Sequence, residues 1–248
     1  MRILLTLSYD GTKYFGWQRQ DSFVTVQGEL EKALSTLLKQ EISVRGASRT
    51  DTGVHALCQG AVFYADTTIP LENMPFAINS FLPEDIVVTK AIEVDEEFHP
   101  QYSVDYKTYE YKIQNSRFPD PRLKNYTEFI RYDLDIDKMK KACAFFLGEH
   151  DFKAFCAAGS SAKTTVRTIF SLDVKKEGDI VAITVSGNGF LYNMVRILAG
   201  TLVYVGLGKI QPEEIKDIIL SKDRARAGKT LSPCGLTLME VHYGKRKI

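Results

Sequence analysis

The apolar residues of this chain change period in a set order, and the order occurs twice. Residues 2 to 9 read as a strand ended by the Asp10-Gly11 turn, and Thr25 is placed to cap a helix whose Val26, Leu30, Ala33, Leu34, Leu37 and Leu38 share one face. Two strands, near 42 to 46 and 57 to 65, carry β-branched and aromatic residues. A second helix runs from Pro70 to about Leu82, and "DIVVTKAIEV" closes the half as a strand. The second half has the same succession in different residues. "KTYEYKIQ" alternates as a strand, and "DIDKMKKACAFFLGEH" sets Ile136, Met139, Ala142, Cys143, Phe146 and Leu147 on one helical face. "TIFSLDVKKEGDIVAITVSG" is a hairpin turning at Glu177-Gly178-Asp179, a long helix occupies 190 to 207, an extra helix follows Pro212, and "GLTLMEVHY" ends the series as a strand. The expected class is α+β: two ferredoxin-like βαββαβ domains, 1–105 and 106–248, with their sheets joined.

With 248 residues, 44% of them hydrophobic and 25% charged, the chain can bury cores of this kind. "MRILLTLSYDG" alternates into polar residues, as a first strand does and a signal peptide does not. Cysteines 58, 143, 156 and 234 form no close pair, which points away from a zinc knuckle or a disulfide scaffold and toward a reducing cytoplasm. The 190 to 207 helix approaches the length of a membrane span, but Asn193 and Arg196 interrupt it. It reads as a buried core helix, and a half-buried Arg196 calls for a carboxylate partner. Charge is split between the halves: 8 Lys and Arg against 15 Asp and Glu in residues 1 to 105, and 24 against 16 in the remainder. "KDRARAGK" (222 to 229) and "GKRK" (244 to 247) in the second half read either as a solvated surface with a frayed tail or as the local positive field that a polyanion such as RNA meets first.

Between the two middle strands of the first half lies "GASRTDTGVHA", residues 46 to 56. Asp51 here has three readings. Asp-Thr-Gly is good turn chemistry, because Asp bonds its own backbone two residues on and Gly53 takes positive φ. Asp51, His55 and Cys58 also fall on one side of a conceivable metal, although no second cluster supplies matching ligands, so no metal is expected. The third reading is a nucleophile, a carboxylate flanked by Arg49 and hydroxyls and held between strands by Gly46 and Gly53. Two look-alikes fail. "AGKT" (227 to 230) has Asp223 where a P-loop needs glycine, and "GNGF" (187 to 190) lacks the third glycine of a dinucleotide fingerprint.

"SRTDTGVHA" strongly resembles the "RTDxGVHA" motif of the TruA family of tRNA pseudouridine synthases. The resemblance continues in order through "YDGTKYFGWQRQ", "VQGELEKAL", "FHPQYSVDYKTYEYKI", "HDF", "VRTI", "GNGFLYNMVRILAG" and "GLTLMEVHY", spanning nearly the whole chain. It implies two related ferredoxin-like domains, a homodimer, and isomerisation of uridine at positions 38, 39 and 40 of the tRNA anticodon arm, without cofactor or metal. By position, Asp51 matches the catalytic aspartate and Arg196 of "FLYNMVR" the arginine that pairs with it. Tyr109, the first tyrosine of "TYEY", matches the residue that stacks on the target base. Arg49 matches the arginine that helps hold the uridine out of the helix, and His55 and Leu191 match further substrate-binding positions. Ser48 and Thr52 depart from the glycine and alanine common in the family motif, and "HPQYSV" lacks an arginine often found there, which leaves room for a paralogue with other target uridines. A non-catalytic RNA-binding or tRNA-folding module, and a nucleoside hydrolase acting at C1′, are the competing readings.

Overall fold

The computed structural model describes residues 1–244, so the basic cluster at 244 to 247 lies outside the described residues except for Gly244. The chain forms two compact units, Met1–Asp105 with the segment from Thr237, and Tyr106–Leu236.

In the first unit, β1 (Arg2–Tyr9) leads to α1 (Val26–Leu38), β2 (Arg45–Gly46), β3 (His55–Tyr64), α2 (Met74–Asn79) and β4 (Ile86–Glu93). β1 lies between β3 and β4, antiparallel to both, and β2 pairs antiparallel with β3. This is the ferredoxin-like order read from the sequence. Thr25 caps α1 as expected, its Oγ1 accepting from the Gly28 N–H at 3.3 Å. Val26, Leu30 and Leu34 are fully buried, each contributing about 1.5–3 kcal/mol.

The strand expected near 42 to 46 shrinks to two residues. The reason is that α1 takes over its backbone. Ser35 Oγ accepts from the Ile42 N–H at 3.0 Å, Glu31 Oε1 from the Val44 N–H at 2.8 Å, and Gln27 Nε2 donates to the Val44 carbonyl at 3.0 Å. Glu31 is 5% exposed, and its other oxygen accepts from Arg19 Nη1 at 3.0 Å.

The second unit contains β5 (Val104–Asn115), β6 (Glu128–Ile130), α3 (Ile136–Cys143), β7 (Gly148–Asp151), β8 (Val166–Glu177), β9 (Ile180–Gly187), α4 (Met194–Gly206) and α5 (Glu214–Ser221). β9 runs antiparallel to both β5 and β8, so β5, β9 and β8 take the places of strands one, three and two in the same motif. The hairpin turns at Gly178 (φ 57°), as its sequence indicated. Two elements are shorter than expected. The helix expected to reach residue 150 tightens after Cys143 into a 3₁₀ turn at Ala144–Phe146, and Gly148 (φ 92°) then starts β7; Leu147, assigned to the buried face, is 42% exposed. α4 starts at Met194 because Asn193 stands in the left-handed region (φ 60°). Among the described residues no helix is long and apolar enough to cross a membrane.

β10 (Leu236–Tyr243) closes the chain. The sequence placed 237–248 in the second domain; the structure counts Thr237–Gly244 with the first unit. There Thr237 and Leu238 pair in parallel with His55 and Ala56, and the Tyr243 hydroxyl donates to the Pro100 carbonyl at 3.0 Å.

Glu31→Ala orphans the buried Val44 N–H and is expected to cost about 2 kcal/mol or somewhat more. Arg19→Ala, whose side chain is 61% exposed, is expected to cost less than about 1 kcal/mol. Urea unfolding, with a lower midpoint and unchanged slope for Glu31→Ala only, checks both.

Candidate active site

In the first unit, Asp51 sits on a loop that is gripped along its backbone. The irregular segment after β1 does the gripping. The Trp17 N–H donates to the Thr50 carbonyl at 3.0 Å, and the Tyr14 carbonyl accepts from the Gly53 N–H at 3.3 Å, so the two bonds bracket Asp51. The Asp51 carbonyl accepts from the Val54 N–H at 3.1 Å, which closes the turn that Asp-Thr-Gly favours. Gly53 takes φ 77°, as its place in the motif indicated. The turn reading and the functional reading of Asp51 are therefore compatible.

Three glycines let the segments approach. Gly16 (φ 86°) lies so close that a Cβ there would stand 2.6 Å from the Thr50 carbonyl oxygen and 3.1 Å from the Asp51 carbonyl carbon. A Cβ on Gly11 would collide with the Val54 carbonyl, and one on Gly46 with the indole of Trp17, itself 2% exposed. Side chains complete the grip. The Tyr9 and Thr50 hydroxyls are hydrogen-bonded at 2.7 Å in the interior, and the register irregularity between Leu7 and Tyr9 on β1 lies beside them. Gln59, fully buried on β3, accepts from the Ser48 N–H at 3.1 Å and donates to the Ser48 carbonyl at 2.8 Å.

The loop thus has a buried floor and an open top. Ser48 and Thr50 are buried, Asp51 is half-buried, and Arg49 and Thr52 are exposed. This alternation directs Arg49 outward. His55 is 6% exposed, and its Nδ1 accepts from the Gly11 N–H at 3.1 Å. Asp10 Oδ1 lies 3.2 Å from the same nitrogen. The observed bond ties His55 to the turn after β1. Among the described residues no cluster of His, Cys, Asp and Glu could hold a metal ion.

The remaining sequence-selected residues belong to the second unit. Arg196, on the first turn of α4, donates from Nε to the Leu231 carbonyl at 2.8 Å and from Nη1 to Asn193 Oδ1 at 2.6 Å. Its guanidinium is aimed from within its own unit, and the left-handed Asn193 supplies one of the two acceptors. Leu191 is 5% exposed in the turn before α4. Tyr109 on β5 is 7% exposed, with its ring edge-on to Phe190 at 5.2 Å. Two residues earlier on the same face, Lys107 is held by burial at about 8, below the ordinary lysine range. The sequence reading passed over this lysine, because nothing in strand alternation separates an amine facing water from one facing the interior.

Gly16→Ala is expected to displace Asp51 and lower activity about 10²-fold. Gly208→Ala, also at positive φ (71°) but with nothing within 4 Å, should cost about 1–2 kcal/mol of stability and leave turnover intact; assays beside urea unfolding separate the two. For Lys107 the sign follows from a folded pKa below the unfolded one. The native state binds fewer protons between pH 8 and about 10.5, so stability gains with rising pH there. Wild type should gain stability over this window and Lys107→Met should lack that gain, in pH-dependent denaturation.

The model of the tRNA pseudouridine synthase family matches residues 6–103 and 142–244, and so takes in the Asp51 loop and α4. The tRNA pseudouridine synthase A of Thermoanaerobacter sp. (strain X514) is 50% identical over 241 residues, covering 97% of this chain and 99% of that protein. The proteins of the same name from Caldicellulosiruptor bescii and Ruminiclostridium cellulolyticum are 48% and 49% identical, over 97% and 98% of this chain and 99% of each of theirs. Matched along nearly its whole length, with the gripped aspartate loop inside the match, the chain belongs to the tRNA pseudouridine synthase family of isomerases.

Proposed function

We propose that the protein isomerises uridine to pseudouridine at positions 38, 39 and 40 of the tRNA anticodon arm, with Asp51 as the catalytic carboxylate. The observation that carries this reading is the grip on Asp51: backbone bonds from Tyr14 and Trp17 bracket a half-buried carboxylate beside the exposed Arg49. Conversion breaks the N1–C1′ bond, turns the uracil while it stays bound, and joins C5 to C1′. The proton on C5 is lost and N1 gains one. Attack at C1′, attack at C6 and removal of a ribose proton all begin from an ionised carboxylate at a fixed place.

In this reading Arg196 serves Asp51 by favouring its charged form and fixing its aim, as the resemblance implies. Its own tethers to Leu231 and Asn193 keep the guanidinium from swinging away. The base must leave the helix stack, which costs a few kcal/mol. Arg49 holds the phosphate backbone in the flipped geometry, Tyr109 receives the base, and Leu191 and His55 shape the surroundings. The enzyme acts in the cytoplasm as a homodimer without cofactor or metal.

The test is an unmodified tRNA transcript with uridines at 38 to 40, incubated with wild type, Asp51→Ala or Arg196→Met, and mapped by carbodiimide adducts and primer extension. Wild type should give pseudouridine at those positions, and Asp51→Ala should be slower by about 10⁴-fold or more. Arg196→Met should lose about 10²–10³ in kcat with little change in KM. Tight binding without product by wild type would replace this reading with the RNA-binding module.

A further inference from the structure

Between β5 and α3, residues 116 to 135 form an arm that returns to the sheet of the second unit only through β6, paired in parallel with the end of β5, and side chains from that end of β5 hold the arm. Gln114 and Asn115 are each 5% exposed and spend their amides on it. Gln114 Nε2 donates to the Phe118 carbonyl at 3.3 Å, and its Oε1 accepts from the Asp120 N–H at 3.0 Å. Asn115 Nδ2 donates to the Tyr132 carbonyl at 2.8 Å and the Ile130 carbonyl at 3.0 Å. The backbone at Phe118 and at Tyr132 is therefore fixed from the interior, yet both rings face out, 71% and 64% exposed. Each carries an arginine against it: Arg117 lies 5.3 Å from the Phe118 centroid and Arg131 lies 5.5 Å from that of Tyr132.

The arm's acidic groups are largely committed. Asp120 is bonded by Arg122 through both oxygens, and Glu128 by Lys229 at 3.1 Å and the Ser232 N–H at 3.0 Å. Of the arm's exposed acids, Asp135 is bonded to Lys138, so exposed Arg117, Lys124 and Arg131 outnumber the remaining exposed Asp133. Rigid exposed rings with arginine planes beside them suit unpaired bases, and the surplus positive charge suits the phosphates that accompany them. A second copy of this chain fits less well, because a two-fold contact through this face would oppose like charges.

We propose that residues 116–132 form a second RNA-binding surface, where Phe118 and Tyr132 stack on unpaired bases of a tRNA loop and Arg117 and Arg131 contact the adjoining phosphates. The proposal rests on the reading of this chain as an enzyme that binds tRNA.

Filter binding of an unmodified tRNA transcript across a salt series tests it, beside single-turnover pseudouridine formation at saturating enzyme. Phe118→Ala/Tyr132→Ala should weaken Kd about tenfold or more and leave the saturated rate and the thermal midpoint unchanged. Arg117→Ala/Arg131→Ala should reduce the slope of log K against log salt by about two. Phe118→Trp/Tyr132→Trp should retain affinity and show indole quenching on tRNA binding, over a constant background from the buried Trp17. An unchanged Kd in the alanine pair overturns the proposal. So does a weakened Kd accompanied by a shift of the alanine pair from dimer to monomer in sedimentation, which would assign the face to self-association. Failure of the catalytic reading is distinguishable, because it appears as an active Asp51→Ala enzyme whatever the arm variants do to binding.

Discussion

The grip of residues 14 to 17 on residues 50 to 53 is the constraint around which the first unit is arranged. Two backbone hydrogen bonds and the close approach of Gly16 hold the Asp51 turn from one side, and the Gln59 amide holds Ser48 from the other. The gripping segment is itself anchored. The Tyr14 hydroxyl donates to Asp85, Trp17 is packed against Gly46, and Arg19 reaches the Gln27–Glu31 pair of α1. Burial and the Asp85 carboxylate both raise the Tyr14 pKa, so that phenol stays protonated and keeps donating at any ordinary pH. The fixing of one turn is thus distributed over β1, α1, β3 and the turn before β4.

The second unit handles its arginine differently. Arg196 leaves a helix end and is steadied by a carbonyl and an amide side chain, not by a ladder of backbone bonds. A guanidinium has five donors in a plane, so two fixed bonds set the orientation of the whole group. The cost is a left-handed Asn193, of order 1 kcal/mol for a residue of this type, at the start of α4.

Much of this was legible in the sequence, and the omissions have physical causes. Periodicity found every long element because long elements bury a face, as α1 does with Val26, Leu30 and Leu34. It overran at residues 42 to 44 and 144 to 150, where backbone groups are satisfied by side chains or turned by a glycine; neither event leaves a trace in hydrophobic spacing. Asp51 could be singled out from its motif, but its motif alone could not say that "YFGWQRQ" supplies the clamp, since that contact joins residues more than thirty apart. Lys107 and the 116 to 132 arm were passed over for one reason. Their character lies in which atoms meet water, and composition does not record that.

The short β2 has a consequence for the protein's life outside any active site. A sheet that ends in a long, flat strand offers its unpaired amides to other chains, and aggregation begins there. Here the strand is two residues long, and the backbone just before it is already occupied by Gln27, Glu31 and Ser35 from α1. The helix that packs the core also seals the margin of the sheet, so the same three polar side chains that shorten β2 deny a neighbouring molecule a template on which to extend it.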